Sequence, residues 1–195
     1  MSSIVSLTLS QVRNAADKFL VEYNHDGILP VPIEDIAELK LNIFVCAIPG
    51  IKNLIGIDGF ITSDFTQITI DEYCYTKFVE RTRFTIAHEI GHKILHQEWY
   101  MKNGPKDFGS HQDFFSKLSE QDYRYMEIQA QTFAGFILVP TELLNRELIN
   151  KFGKVPANED LEIIQPVFND LLSIFKVSGE VMVRRMIKEG IIKKI

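Results

Sequence analysis

The sequence has only two cysteines, Cys46 and Cys74, and they do not form a Cys-x-x-Cys pair. Two cysteines in a chain of this length cannot build a disulfide framework, so we expect two buried thiols in a reducing compartment. The first residues lack the basic start and sustained apolar run of a signal peptide. No stretch approaches the roughly 18 apolar residues that a membrane helix needs. These absences predict a cytoplasmic protein with no membrane span.

An excess of positive charge is also missing, because the formal net charge is −5 at pH 7. An anionic molecule is not a general nucleic-acid binder, so we do not expect direct binding to nucleic acid. The charge is uneven, however. Residues 176–195 carry six Lys or Arg and two Glu, a local charge of +4, which leaves −9 for the remainder. We expect this basic tail to attract an acidic surface on a partner protein.

Apolar residues are plentiful, at 46% of 195 residues, and they can bury one substantial core. Helical and strand periodicities follow one another without repeats, which predicts a mixed α and β fold. We expect a main domain at residues 1–153 and a helical C-terminal extension at 154–195 that packs on it. The predicted strands are 42–48, 55–62 and 66–71. The first predicted helix starts at a capping box, Thr8–Gln11, and ends near Asn24–Gly27. The other predicted helices are about 32–39, 77–97, 122–139, 142–152, 159–175 with a break at Pro166, and 179–189.

The segment Phe84–His96 contains the pattern His88-Glu89-x-x-His92. On a helix, residues four apart are neighbours on one face, so both histidines can bind one ion. Two imidazoles at this spacing suit Zn²⁺. Glu89 lies about 100° around the helix from His88, where it could take a proton from the attacking water without binding the metal. The motif therefore predicts a zinc site with Glu89 as general base.

The same pattern also arises by chance on solvent-exposed helices, so its context matters. Here the helix carries an apolar stripe and is expected to pack in a core, where His and Glu without partners would be costly. A metal ion would satisfy all three side chains. Gly91 costs up to about 1 kcal/mol inside a helix. Its presence indicates that another group approaches the helix closely at this position.

A catalytic zinc site has three protein ligands and leaves one position for water. His96 lies about 6 Å along the helix axis beyond His92, so we expect it to pack or to support a ligand. Cys74 could serve as the third ligand, as in a deformylase-like amidase. Glu127 is the stronger candidate because it lies on a second amphipathic helix among Ala and Phe residues. A solvent-facing Glu127 on a half-exposed helix fits the pattern equally well.

The polar segment Trp99–Gln121 is long for a connection without secondary structure, and we expect it to form a mobile flap over the site. A peptidase also needs a donor that stabilises the tetrahedral oxyanion. Tyr100, His111 and Tyr123 are candidates for this role, although each is more simply explained as an ordinary loop residue.

Two ordered blocks of the sequence are familiar. Arg83–His96 is close to R-F-T-x-A-H-E-x-G-H-x-x-L-H, and Glu127–Pro140 is similar to E-x-E-A-N-x-F-A-A-x-L-L-M-P. With these blocks the chain resembles the ImmA/IrrE family of metallopeptidases. Leu29–Val31 upstream and the helical end of the chain also fit the family, so the resemblance covers most of the sequence.

The resemblance implies an α+β, zincin-like metallopeptidase fold with a small, mostly antiparallel sheet, an active-site helix and a helical C-terminal part. By position it implies the zinc ligands His88, His92 and Glu127, with Glu89 as the catalytic carboxylate. Members of the family cleave transcriptional repressors in phage, mobile-element and stress responses. We therefore expect a cytoplasmic zinc endopeptidase that cleaves a specific protein, a DNA-binding helix-turn-helix repressor.

Three positions depart from the family pattern. Gln129 stands where the family often has Glu, Gln131 replaces the usual Asn or Asp, and Val139 replaces Met. Position 131 could orient a ligand histidine by a hydrogen bond. A glutamine can still accept such a bond, so we expect altered activity rather than an inactive site.

Two other functions are compatible with the sequence. One is a different metal hydrolase, a deformylase-like amidase that uses Cys74. The other is a non-catalytic, metal-binding regulator that acts by protein or DNA binding through the C-terminal helices, since Phe175–Ser178 joins two helices in a helix-turn-helix-like manner. The negative charge of the remainder opposes binding to DNA.

Overall fold

Helices make up most of the computed structural model, which describes residues 6–111, 114 and 118–194. In chain order the elements are α1 (Leu9–Tyr23), α2 (Ile33–Asp35, continuing as a π-helical turn at Ile36–Lys40), β1 (Phe44–Ile48), α3 (Ile51–Ile55), β2 (Gly59–Ile61), β3 (Gln67–Asp71), α4 (Glu72–Lys77), α5 (Val79–Leu95), α6 (Gln97–Asn103), α7 (Glu120–Leu138), α8 (Thr141–Phe152), α9 (Leu161–Phe175) and α10 (Gly179–Lys188). This is an α+β fold, as predicted. No helix in the described ranges is long and apolar enough to cross a membrane.

Within the described residues, the sheet has three strands in the order β1-β3-β2. β1 pairs with β3 in parallel, from Phe44 opposite Gln67 to Ile48 opposite Asp71, whereas β2 pairs with β3 in antiparallel fashion. The sheet is therefore mixed rather than mostly antiparallel. β3 lies in the middle, and four of its five residues are buried.

The predicted strand at 55–62 is much shorter in the structure. Its first part is instead the end of α3, and Gly56 terminates that helix with φ 77°, donating its N–H to the carbonyl of Lys52. Only Gly59–Ile61 pairs with the sheet. Glycine adopts this left-handed conformation at little cost, which explains why the chain turns at Gly56.

α5 and α7 form the centre of the fold. A Cβ atom added to Gly91 of α5 would lie 3.2 Å from both the Cα and the carbonyl oxygen of Ala130 on α7. The close approach predicted at Gly91 is therefore confirmed, and the approaching group is the backbone of α7. α1 also packs on α7, with the rings of Phe19 and Phe133 5.6 Å apart edge to face.

The predicted flap at Trp99–Gln121 is only partly within the described residues, because positions 112, 113 and 115–117 lie outside them. Its first residues are helical, since α6 extends to Asn103, and Tyr100 in that helix is 4% exposed. The ring of Tyr100 lies 5.9 Å from that of Phe65 and 5.4 Å from that of Phe114. This aromatic packing orders a stretch whose polar composition predicts a loop.

α9 is one continuous helix with Pro166 inside it, so the predicted break does not occur. Pro166 removes one backbone hydrogen bond at a cost of about 3 kcal/mol. The residues Ile164, Val167, Leu171 and Phe175 are buried along one side of the helix. Each buried apolar side chain contributes roughly 1.5–3 kcal/mol, which outweighs the lost bond.

α10 is tied to the end of α7 by Arg185, which is 1% exposed. Its Nε and Nη2 atoms both donate to the carbonyl oxygen of Val139, and its Nη1 atom lies 2.7 Å from the carboxylate of Glu189. Arg13 of α1 binds the same carboxylate with two hydrogen bonds of 2.9 and 3.0 Å. The first and last helices thus meet at the end of α7. The proposed division after residue 153 stays a prediction.

Candidate metal centre

α5 presents His88, Glu89 and His92 to the interior of the fold. The helix has 17 residues, and its apolar positions bury it against α7 and the sheet. Because His88 and His92 are one turn apart, their rings meet edge to face, and their Nε2 atoms lie 3.0 Å apart. His92 is 1% exposed and Glu89 is 4% exposed. The two imidazoles are therefore directed at one point.

Glu127 of α7 reaches the same point. Its Oε2 atom lies 3.3 Å from Nε2 of His88, and its Oε1 atom lies 3.4 Å from Nε2 of His92. Ligand atoms arranged tetrahedrally around zinc at about 2.0–2.1 Å lie roughly 3.3 Å from one another. Two imidazoles and a carboxylate at this spacing fit a catalytic zinc site. In the described part of the chain, no other three His, Cys, Asp or Glu side chains converge in this way.

The charges at this point are strongly coupled. Burial alone would raise the pKa of Glu127, but hydrogen bonds from His88 and His92 outweigh it and hold the pKa well below the ordinary range. Burial also lowers the pKa of His92, and the charge of His88 lowers it further, so that the neutral imidazole is favoured. Burial lowers the pKa of His88 too, but the hydrogen bond to Glu127 and the charges of Glu89 and Glu127 outweigh it and raise that pKa. An ionised carboxylate and neutral imidazoles bind a metal ion, so a bound metal would replace the proton of His88.

Glu89 lies beside this group without belonging to it. Its Oε2 atom accepts a 2.9 Å hydrogen bond from the backbone N–H of Ile61 in β2, and its Oε1 atom is 4.0 Å from Nε2 of His88. Burial raises the pKa of Glu89 to about 8, the charge of Glu127 adding to the effect while His88 opposes it. A carboxyl group with such a pKa can both accept and return a proton near neutral pH.

β2 can reach Glu89 because Gly59 has no side chain. A Cβ atom at this position would lie 2.7 Å from the carbonyl oxygen of Thr69 and 2.9 Å from Cγ2 of Thr85. At Gly59 the backbone of β2 therefore lies in close contact with both β3 and α5.

A chain of buried hydrogen bonds extends behind His92. Nδ1 of His92 lies 3.2 Å from Nδ1 of His96, and Nε2 of His96 lies 3.0 Å from Oε1 of Gln129. If Oε1 of Gln129 accepts a hydrogen bond from Nε2–H of His96, then Nδ1 of His96 accepts one from Nδ1–H of His92, and Nε2 of His92 keeps a free electron pair directed at His88 and Glu127. If the side-chain amide of Gln129 is instead rotated by 180°, its NH2 group donates to His96. Each hydrogen bond in the chain then reverses, and Nε2 of His92 carries a proton. Only the first arrangement can bind a metal ion.

The sequence indicated the supporting position of His96 but not the role of Gln129. Gln129 is 4% exposed and hydrogen-bonds to His96, whereas Gln131 lines the cleft in front of the site. The sequence did contain an indication of this role, because Gln129 lies close to Glu127 on a helix whose buried face is otherwise largely apolar. A buried amide in such a helix needs a polar partner.

The cleft in front of the site has a volume of about 240 Å³. Tyr100, His111 and Tyr123 all line it, and burial raises the pKa of Tyr123 to about 12 and lowers that of His111 to about 4. All three are therefore neutral near pH 7. Cys74 is 2% exposed in α4, and burial raises the pKa of its thiol. It lies outside the converging group, so the structure does not support a site that uses Cys74.

The family model of peptidase M78, described as an IrrE N-terminal-like domain, matches residues 58–186. The chain belongs to the peptidase M78 family. The match covers β2, the histidine motif, Glu127 and most of α10, and it runs past residue 153. Peptidase M78 proteins are metallopeptidases of the zinc-dependent type, in agreement with the donor set of this chain.

Among solved structures, the M78 chain is similar to a Mycobacterium tuberculosis transcriptional regulator, with a TM-score of 0.55 and 16% sequence identity. The similarity covers 90% of this chain and 46% of the regulator, so the chain spans about half the length of that protein. At this identity the likeness establishes the fold alone. No curated protein sequence matches the chain significantly.

Proposed function

We propose that this M78 protein is a zinc-dependent endopeptidase with His88, His92 and Glu127 as zinc ligands and Glu89 as general base. The observation that carries the proposal is the convergence of the three ligand side chains within 4.8 Å beside a buried carboxyl group. Family membership supports peptidase activity. Cleavage of one specific protein, rather than general digestion, is part of the proposal.

A zinc ion held by the three ligands would polarise the scissile carbonyl and lower the pKa of a water molecule. Glu89 is placed to take the proton of that water and to return it to the leaving amine. The N–H of Ile61 holds the carboxyl group of Glu89 in one orientation, so the proton is accepted and returned at one place. Tyr100, His111 and Tyr123 remain candidates for stabilising the oxyanion because each lines the cleft.

We propose that the substrate binds as an extended chain along an edge of the sheet, and of β2 and β3 the better candidate for this edge is β2. β3 is paired on both sides, whereas β2 pairs only with β3 among the described strands. Asp58 and Thr62, which flank β2, bond to β3, because Asp71 N–H donates to Asp58 O and Thr62 N–H donates to Gln67 O. By alternation, Gly59 and Ile61 direct their backbone groups to the outer edge, next to Glu89. An extended peptide added to this edge would pass in front of the ligand group.

For the substrate we propose a DNA-binding repressor. The resemblance of the two sequence blocks to repressor-cleaving peptidases supports it. The alternative of a DNA-binding regulator gains no support from α10. Arg185, Met182 and Met186 of that helix are buried, so its inner face is used for packing rather than for contact with DNA.

The test is incubation of the zinc-loaded protein with casein and, separately, with any helix-turn-helix repressor that is found encoded near its gene. Mass spectrometry then locates any cleavage. We expect one or a few cuts in the repressor, none with Glu89→Gln, and no digestion of casein. Rapid cleavage of casein at many sites would show a general peptidase. Cleavage of neither protein would favour a non-catalytic regulator.

A further inference from the structure

The hydroxyl group of Tyr100 is the polar end of a side chain that is otherwise buried in the fold. Tyr100 is 4% exposed, and its hydroxyl group makes no hydrogen bond to any described residue. A buried tyrosine normally places this group against a partner, because a polar group that loses water without gaining a hydrogen bond is costly. Phenylalanine would fill the same space without that cost. The hydroxyl group therefore indicates a partner that comes from outside the chain.

The ring of Tyr100 is held in one place by its neighbours. Its centroid lies 4.9 Å from that of His92, with 31° between the ring planes, 5.9 Å from that of Phe65 and 5.4 Å from that of Phe114. Gly104 packs closely on the same ring, since a Cβ atom there would lie 2.8 Å from Cδ1 of Tyr100. The phenol is thus fixed beside a ligand histidine before any substrate binds, and a donor that is positioned in advance needs no reorganisation during the reaction.

The hydroxyl end of this ring faces the cleft in front of the metal centre. Tyr100 lines the cleft together with His88, Glu89 and Glu127. Burial raises the pKa of Tyr100 well above its ordinary value, and the charges of Glu89 and Glu127 raise it further. The hydroxyl group therefore lies on the side of the two carboxylates without bonding to either, and it keeps its proton near neutral pH.

The other two candidate donors in the cleft are less well placed. Tyr123 lies one turn before Glu127 on α7 and is only half-buried, so its phenol is held less firmly than that of Tyr100. The ring of His111 packs on that of Phe60, 5.1 Å away, and its Nδ1 atom is enclosed by protein. Of the three side chains, Tyr100 alone combines a fixed ring with a hydroxyl group that has no partner among the described residues.

We propose that Tyr100 is a catalytic residue whose hydroxyl group donates a hydrogen bond to the oxyanion of the tetrahedral intermediate. The inference rests on the proposed peptidase function and assigns to one residue a role that three could fill. When the oxygen of water bonds to the scissile carbonyl carbon, an electron pair moves onto the carbonyl oxygen, and Glu89 takes the proton of the water. The hydroxyl group of Tyr100 stabilises the charge on that oxygen. It keeps its own proton, and the carbonyl re-forms as the C–N bond breaks and Glu89 protonates the amine.

The test compares two pools of zinc-binding dipeptide inhibitors that carry the same side chains. N-phosphoryl dipeptides present a tetrahedral oxyanion, whereas N-mercaptoacetyl dipeptides bind through one sulfur atom and present none. Tyr100→Phe removes the hydroxyl group and keeps the packed ring. We expect this variant to bind the phosphoryl pool roughly 10- to 100-fold more weakly than the wild type, the size expected for one hydrogen bond to a charged group. Its affinities for zinc and for the mercaptoacetyl pool should be unchanged.

Tyr75→Phe is the matched control. It also removes a phenol hydroxyl group, one that donates to Glu34 at 2.6 Å and lies outside the cleft. This variant should bind both pools like the wild type. Melting temperatures of all variants separate the loss of one hydrogen bond from a loss of packing.

Cleavage of quenched peptide pools provides the second measurement. Tyr100→Phe should lower kcat by about 10²–10³ with little change in KM, as for the loss of one oxyanion donor. If the wild type cleaves no peptide but its affinity for the phosphoryl pool depends on Tyr100, the peptidase proposal alone fails. Cleavage that needs Glu89 but not Tyr100, equal loss of affinity for both pools or for neither, or a selective loss in Tyr123→Phe instead, would overturn the inference. A wild type that binds neither pool would overturn both proposals.

Discussion

Replacement of Gly91 by Ala tests whether the packing of α5 on α7 sets the geometry of the metal centre. Gly91 lies between the two histidines of the motif, and its Cα faces the backbone of Ala130. An added methyl group would lie 3.2 Å from the Cα and the carbonyl oxygen of Ala130 and 3.3 Å from Cδ1 of Phe133. Two of these three neighbours belong to the backbone or its carbonyl, so the helices must separate by a few tenths of an ångström to relieve the contact.

Two effects on the free energy of unfolding oppose each other. Alanine is better than glycine in a helix by about 0.8–1 kcal/mol, whereas overpacking of a core costs about 1–3 kcal/mol. We therefore expect metal-free Gly91→Ala to be destabilised by about 0–2 kcal/mol. The effect on zinc should be larger, because metal–ligand distances are fixed to about 0.2 Å. Separation of the helices moves Glu127 away from the histidines, and we expect zinc affinity to fall about 10- to 100-fold, the range seen when ligand support is removed.

The assay is zinc titration against a competing chelator, together with denaturant unfolding of the metal-free protein. Gly179→Ala is the matched control, because a Cβ atom at Gly179 would meet the ring of Phe168 at an ordinary 3.6 Å. That variant should bind zinc like the wild type. If Gly91→Ala also keeps wild-type zinc affinity and is stabilised by about 1 kcal/mol, helix propensity alone decides the outcome. The reasoning from close packing would then be refuted.

Four further predictions concern the side chains of the centre. Metal analysis should find about one zinc ion per chain, and replacement of His88, His92 or Glu127 by Ala should remove most of it. Glu89→Gln should retain zinc but lose turnover by a factor of at least about 10² in a peptide-cleavage assay. Folding raises the pKa of Glu89 from 4.5 to about 8, so the contribution of this group to the stability of the metal-free fold is complete below pH 4.5 and is lost as the pH rises through 8. In denaturant unfolding, Glu89→Gln should lack this decline in stability with pH. An unchanged decline would contradict the assignment to Glu89. In the zinc titration, Gln129→Leu should lower zinc affinity about 10- to 100-fold. Gln129→Glu should raise it, because an ionised carboxylate can only accept the hydrogen bond from His96. Equal affinities of the three proteins would show that this hydrogen-bond chain does not influence zinc binding.

The parts of the fold that could be predicted are those set by local periodicity. The capping box at Thr8 is present, with Thr8 N–H donating to Gln11 Oε1 and Gln11 N–H to Thr8 Oγ1. The helical spacing of His88 and His92 predicts their shared face, and Glu127 faces them from α7. The pairing of β1 with β3 in parallel depends on a crossover that no local pattern specifies.

Other features depend on contacts between distant segments. Tyr100 lies in a stretch of loop-like composition, yet its ring packs on His92, 4.9 Å away, and on Phe114. Gln129 gains its role only when α7 brings it beside His96. Pro166 predicts a break, and burial of the neighbouring apolar residues overrides that local preference. In each case tertiary packing outweighs the information in a short window of sequence.

The ion-pair cluster of Arg13, Glu189 and Arg185 also has a consequence for the order of folding. Arg13 and Glu189 are 176 positions apart, and Arg185 holds the carbonyl group of Val139 at the end of the helix that carries Glu127. Contacts of such sequence separation form late, because a long loop must close first. A chain that is still being synthesised lacks this attachment of α7 until α10 has emerged, although α1 and α5 can already pack on α7. We therefore expect chains that end at residue 178 to bind zinc more weakly than the full sequence.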